Sequence, residues 1–304
     1  MLAVVRAIAR PTLAHMPSPH TDDALRAMVE SRLARAIDSH IAVPRLAEAC
    51  RYAVLGGGKR IRPLITMRCC EACGGDVSRA LDGACAVELV HAFSLAHDDL
   101  PALDNDDVRR GRPTLHRAFP ESLAILAGDA LFAAALAVAM DDPHHGPALC
   151  AEVVGASLAM IDGQVMDTLP EARDDSIDPA ALVEQIHSRK TGALIAASAR
   201  MGAVCADVGP EDAKAIASWG TAIGLMFQIV DDWIDATQPA SRAGKATGKD
   251  QAAGKSTWVG TLGVAGAVAH VDRLAREANA ALHGLGDGAA NLRRMTSELA
   301  GRRH

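Results

Sequence analysis

Phe227-Gln228-Ile229-Val230-Asp231-Asp232-Trp233-Ile234-Asp235 closes an apolar run with a cluster of carboxylates. Asp231 and Asp235 are four residues apart, about 40° around a helix, so a helical reading points both the same way one turn apart. The pattern recurs upstream in His97-Asp98-Asp99-Leu100-Pro101-Ala102-Leu103-Asp104-Asn105-Asp106-Asp107, again directly after an apolar, helix-like stretch. Asp98 and Asp104 would diverge by about 120° on a regular helix. Pro101 disturbs that helix and lets Asp104 turn back toward a shared ion. Ionised carboxylates rarely enter such surroundings without compensating charge, so the two clusters predict a bound cation. Ligands made of oxygen alone favour a hard ion such as Mg²⁺, which keeps several waters and bridges carboxylates to substrate phosphates.

Working outward, bases flank both clusters. Gly57-Gly58-Lys59-Arg60-Ile61-Arg62-Pro63 precedes the first, Arg109-Arg110 follows it, and Lys245, Lys249 and Lys255 follow the second. A Gly-rich approach to Lys59 and Arg62 suits phosphate contact. Acid and base together predict a metal and a phosphate in one site.

Composition sets the scaffold. The chain has 304 residues, 49% hydrophobic and only 3% aromatic, so it can bury a large core yet is poor in strand formers. An all-α fold follows, with helices expected over about 21–37, 148–166, 179–204, 210–236 and 256–282. Short links and the absence of a repeat or a Ser/Gly/Pro-rich linker predict one multi-helix bundle over 21–304, with residues 1–20 as a flexible extension. A bundle builds its sites inside a central cavity from facing helices, which suits two distant acid clusters. The net charge of −6 argues against a nucleic-acid partner. Seven cysteines, mostly within apolar helical runs, predict reduced core residues and a cytoplasmic protein. Cys70 and Cys73 have C-x-x-C spacing but lack a second ligand pair or a βαβ context. Ser122 to Met140 is nearly long enough to span a bilayer, but Asp129 would cost about 2.5–3.5 kcal/mol there, so a buried helix is expected and no transmembrane segment. The acid-free start with Arg6 and Arg10 leaves organelle targeting as the alternative to a plain extension.

Two common motifs fail. A Ca²⁺ loop starting at Asp104 has Val108 at its fifth position and Arg109 in place of the sixth-position Gly. Gly248 with Gly254-Lys255-Ser256 is one residue too long for a P-loop and follows a helix.

The ordered set of motifs resembles the trans-isoprenyl diphosphate synthases, the polyprenyl synthetase family. The set comprises Gly57 to Pro63, the Asp98-Asp99 cluster ending Arg109-Arg110-Gly111-Arg112-Pro113-Thr114, Gly163-Gln164 with Asp167, Lys190-Thr191-Gly192, Phe227-Gln228 with Asp231 to Asp235, and Gly248-Lys249-Asp250. The likeness covers roughly residues 25 to 300. It implies an all-α prenyltransferase bundle, commonly homodimeric, that condenses isopentenyl diphosphate with an allylic diphosphate. Mg²⁺, about three ions per site, would be held by Asp98, Asp104, Asp231 and Asp235. Asp99 and Asp232 match motif positions as outer partners. Arg109, Lys190, Gln228 and Lys249 match positions that hold the allylic diphosphate or the ions' outer sphere, with Thr191 beside them. Lys59, Arg62, His91 and Arg110 match those that bind isopentenyl diphosphate. His97, on the same apolar helix as His91, reads as a structural group. Trp233 is bulkier than the aliphatic residue common at that place in the family.

The resemblance also bears on product length, because the helix entering the first Asp cluster lines the chain pocket. Phe93 lies five residues before Asp98, roughly 7.5 Å below the metal end, and predicts farnesyl diphosphate as the product. Ser94, small and on the face of Asp98, makes geranylgeranyl diphosphate the alternative. A terpene cyclase and a non-catalytic helical partner subunit are the competing classes. The Lys59–Arg62 segment and the second Asp cluster argue against the first, and two intact clusters argue against the second.

Overall fold

The computed structural model describes residues 20–174, 176–237 and 257–302. Lys245, Lys249 and Lys255 lie outside these residues, as does the N-terminal segment 1–19. Helix α1 (Asp22–His40) starts where Thr21 Oγ1 accepts the Ala24 amide, and buries Leu25, Val29, Leu33 and Ile37. That three- and four-residue spacing is one helical face, and each large side chain buried contributes about 1.5–3 kcal/mol. α2 (Pro44–Val54), α3 (Ile61–Ala72) and α4 (Leu81–Asp98) follow, with a 3₁₀ turn Val77–Ala80 before α4. α3 and α4 are buried nearly all round, as the core of a bundle requires.

α5 (Leu115–Ala118) is a single turn before α6 (Glu121–Met140) and α7 (Gly146–Thr168). α8 (Pro179–His187) runs through a π-helical segment, Ser188–Gly192, into α9 (Ala193–Cys205). The expected single helix over 179–204 is thus two helices joined by a wider turn. α10 (Pro210–Thr237), α11 (Trp258–Ala281) and α12 (Ala290–Gly301) complete the described fold. One core is built mainly on α1, α4 and α6, and a second on α9, α10 and α11. α3 and α9 contribute to both.

The all-α expectation holds apart from a two-residue ribbon, β1 (Val108–Arg109) against β2 (Arg112–Pro113), antiparallel. Its turn, Arg110-Gly111, has positive φ at both residues, the backbone twist that two-residue hairpins favour. α6, α7 and α10 are each long and apolar enough to cross a membrane by length and composition. In this fold the large apolar residues of α10 go to the core and the cleft, those of α6 and α7 divide between the interior and exposed positions, and Asp129 projects from the middle of α6 with 63% of its side chain exposed.

Candidate active site

A cleft of about 1160 Å³ opens between α3, α4, α7, the π segment and α10. Asp98 and Asp104 line it on one side and Asp231 on the other. The turn after α4 explains the first pair. The helix stops at Asp98, and the chain reverses so that the Asp104 amide donates to the Asp98 carbonyl at 2.9 Å, with Asn105 at positive φ. Pro101 therefore sits past a terminated helix, where its missing N–H is no loss, and does not kink a continuing one. Burial, with Asp104 and Asp99 nearby, pushes the Asp98 carboxyl up to about 6, against the pull of Lys190 and Arg109. Such an uncompensated carboxylate is suited to a divalent cation, and the oxygen-only donors fit Mg²⁺.

Asp99 points away from this cleft. Its carboxylate, 4% exposed, accepts from Arg109 Nε at 2.7 Å and Nη2 at 2.6 Å. Although burial works against the charge, Asp99 holds Arg109 above its ordinary value. Asp232 likewise faces inward. It accepts from Gln228 Nε2 and from the Trp258 amide, both at 2.8 Å, tying α10 to the start of α11. Gln228 Oε1 in turn accepts from Thr191 Oγ1 at 2.8 Å, so π segment, α10 and α11 share one hydrogen-bonded chain. Asp235 is buried and lies outside the lining of the cleft.

Lys190 projects from the π segment into the cleft and donates to Asp167 Oδ2 at 2.6 Å. A Cβ on Gly163 would come within 2.2 Å of the Lys190 backbone nitrogen, and one on Gly224 within 2.8 Å of Gly192. These glycines let α7 and α10 close on the segment, whose wider turn aims Lys190 and Thr191 inward. Gln164, the next residue on α7, also lines the cleft, and both its side-chain amide atoms lack a hydrogen-bond partner. In the sequence Gln164 stands out only by its place in the Gly163-Gln164 motif.

The basic wall is built from the loop before α3. Gly57, Gly58 and Arg60 all have positive φ. Buried Arg60 locks this loop through Glu88 and Glu30, both at 2.6 Å, and the Val54 carbonyl at 2.7 Å. This ion-pair anchor carried no role in the sequence reading, because nothing in the sequence distinguishes it from its basic neighbours. It leaves Lys59 exposed at the mouth and Arg62 on the cleft wall, where Arg110 arrives by donating to the Gly57 carbonyl. Burial, with the Arg110 charge beside it, pushes the Arg62 guanidinium below its ordinary value, and Arg62 Nε has no partner. Burial and the same cations hold His91 well below the usual histidine range, so its imidazole is neutral. Crowded guanidiniums with an orphaned donor suit an anion. His97 is structural in its contacts: Nε2 lies 3.0 Å from the Ile125 carbonyl, in space that Gly128 leaves open.

The far end of the cleft is apolar, with Phe93 and Leu95 from α4 facing Met160, Ile161 and Val165 of α7. Phe93 leans away toward α6, its ring centroid 5.3 Å from Phe132 and 5.4 Å from His97. Ser94 turns its hydroxyl back onto the His91 carbonyl at 3.0 Å.

An acid-rich end, a basic wall and an apolar tail chamber in one helical cleft have a counterpart in sequence. The Polyprenyl synthetase family model matches residues 43–279. The chain belongs to the polyprenyl synthetase family. Among relatives, geranylgeranyl pyrophosphate synthase 7, chloroplastic, of Arabidopsis thaliana is 38% identical over 258 residues, spanning 82% of this chain and 74% of that protein. The geranylgeranyl pyrophosphate synthetase of Pyrococcus horikoshii superposes with a TM-score of 0.81 at 30% identity, over 91% of this chain and 95% of that one. An FPP/GFPP synthase from Zymomonas mobilis gives 0.78 at 33% identity, over 92% and 100%. This polyprenyl synthetase is therefore a prenyl chain-elongating enzyme with the all-α fold of its family.

Proposed function

We propose that this enzyme adds isopentenyl units to an allylic diphosphate and releases geranylgeranyl diphosphate. The observation that carries the length assignment is the agreement of its curated relatives: proteins 38–41% identical are named geranylgeranyl pyrophosphate synthases. It favours the geranylgeranyl alternative over the farnesyl expectation drawn from Phe93. The lean of Phe93 toward Phe132 supports the change, because a ring packed on α6 blocks less of the chamber than one standing free above it.

Asp98, Asp104 and Asp231, with Asp235 one turn on, would hold Mg²⁺ against the allylic diphosphate, which Arg109, Lys190 and Lys249 also grip. About three ions would neutralise the charge that the departing diphosphate acquires. Thr191 and Gln228 fix the π segment so that Lys190 meets that charge already oriented. Lys59, Arg62, Arg110 and neutral His91 hold isopentenyl diphosphate beside it. Once the allylic C–O bond breaks, the isopentenyl double bond attacks the cation, and a proton leaves to the released diphosphate. The apolar walls around Phe93 and Met160 exclude water that would quench the cation.

The active form in this proposal is a homodimer. Val154, Leu158 and Leu169, none of which lines the cleft, are exposed along one face of α7, and Ile125 and Leu126 are exposed on α6. A two-fold partner presenting the same residues covers them. Names of relatives as chloroplastic or mitochondrial lend the expected cytoplasmic location no support. The test is product length from dimethylallyl, geranyl and farnesyl diphosphates with isopentenyl diphosphate and Mg²⁺. A C20 product from each supports the proposal; termination at C15 restores the farnesyl reading. A cyclase would consume the allylic substrate without isopentenyl diphosphate.

A further inference from the structure

At the opposite end of α7 from the cleft, three ligand types converge. Asp142 and His145 occupy the turn between α6 and α7, and Cys205 ends α9. Their ligand atoms all lie within 4.8 Å of one another, and none of the three residues lines the cleft. Gly146 and Gln164 are separated by roughly 27 Å of helix, so this cluster is remote from the condensation chemistry.

The hydrogen bonds around His145 leave one ring nitrogen aimed inward. Nε2 lies 2.8 Å from Asp207 Oδ1, while Arg79 binds the other Asp207 oxygen and approaches the ring at 3.5 Å. With the ring proton on Nε2, Nδ1 carries a lone pair. It is buried, makes no hydrogen bond, and faces Asp142 Oδ1 at 3.4 Å. The Asp142 oxygen is held in place by the His144 and His145 amides at 2.8 and 2.7 Å. Those two amides keep its carboxyl below the usual range despite burial. A lone pair facing a carboxylate across 3.4 Å, with a thiol beside them, is an arrangement that a cation stabilises.

We propose that Asp142, His145 Nδ1 and Cys205 Sγ form a Zn²⁺ site that clamps the α6–α7 turn to the end of α9, with water as the fourth ligand. Nitrogen, sulfur and carboxylate oxygen together match Zn²⁺ and not the hard Mg²⁺ of the cleft. Ligands on a tetrahedral Zn²⁺ lie roughly 3.3–3.8 Å apart, so closure asks for about 1 Å of inward movement. Asp207 supplies the outer carboxylate that commonly fixes the tautomer of a metal-bound histidine. Binding exchanges one proton for the metal: Cys205 Sγ–H releases its proton to solvent and the thiolate forms the Zn–S bond. Without metal the Cys205 thiol stays protonated, since burial pushes it up to about 12.

Co²⁺ added to the metal-stripped full chain, with excess Mg²⁺ filling the Asp-rich clusters, tests this. The expected result is a tetrahedral Co²⁺ spectrum with a thiolate-to-metal charge-transfer band that Zn²⁺ displaces. Cys205→Ser and His145→Gln should lose the band. Asp207→Asn, on an exposed residue, should keep the fold and weaken Zn²⁺ binding about 10–100-fold, which protects the test if the core variants do not fold. No thiolate band in the wild type, the same band in Cys205→Ser, or unchanged affinity in Asp207→Asn would each overturn the site.

Discussion

Asp98 shows how a single residue trades stability for function. Its folded-state carboxyl stands near 6 against an ordinary value near 3.8, so above that range the folded protein holds an ionised group at a cost the unfolded chain does not bear. In metal-free protein at neutral pH, Asp98→Asn should therefore raise stability by about 1–3 kcal/mol while abolishing Mg²⁺-dependent turnover. The gain should shrink as pH falls through about 6, where the native carboxyl takes up its proton; denaturant unfolding at two pH values checks this. Asp99 makes the complementary case. Asp99→Asn leaves Arg109 without its buried partner and should lower both stability and allylic affinity, seen as a raised KM for the allylic substrate. The type of these residues was legible in the sequence, but their direction was not. Asp98 and Asp99 are adjacent, yet one faces the cleft and the other an arginine, because the helix ends between them.

Individual elements were more legible than their joints. Regular apolar spacing gave α1, α7, α10 and α11 to within a few residues of their ends. The π segment was not foreseen, because it depends on close approach of Gly163 and Gly224, which are distant in sequence. Gly163→Ala tests that joint. Better helix propensity would add about 1 kcal/mol, but a methyl against the Lys190 backbone should cost about 1–3 kcal/mol and displace the lysine, so Tm and kcat should both fall. On α4, Phe93→Ala removes the ring packed on Phe132 at the cleft wall and should lengthen the product, as chromatography of the released prenyl chains would show; an unchanged product would remove Phe93 from the pocket floor.

At the scale of the whole molecule, the bundle brings two acid clusters, a basic loop and an apolar chamber into one cleft, and leaves an apolar stripe outside. Leu158, 61% exposed, should tolerate a charge within the protomer at a cost of about 0.5 kcal/mol or less. In a two-fold interface the same charge would be buried beside its copy, so Leu158→Glu should shift the protein from dimer to monomer in light scattering. Composition made the helical class legible, and the order of motifs made the chemistry legible. Which face each motif presents came only with the packed helices. In the proposed function the cleft condenses isopentenyl and allylic diphosphates under a divalent ion. The most direct measurement is incorporation of labelled isopentenyl diphosphate into longer prenyl chains, with and without Mg²⁺, in folded protein. Incorporation that needs both Mg²⁺ and an allylic starter is the expected result; no incorporation with any starter would rule out condensation in this cleft.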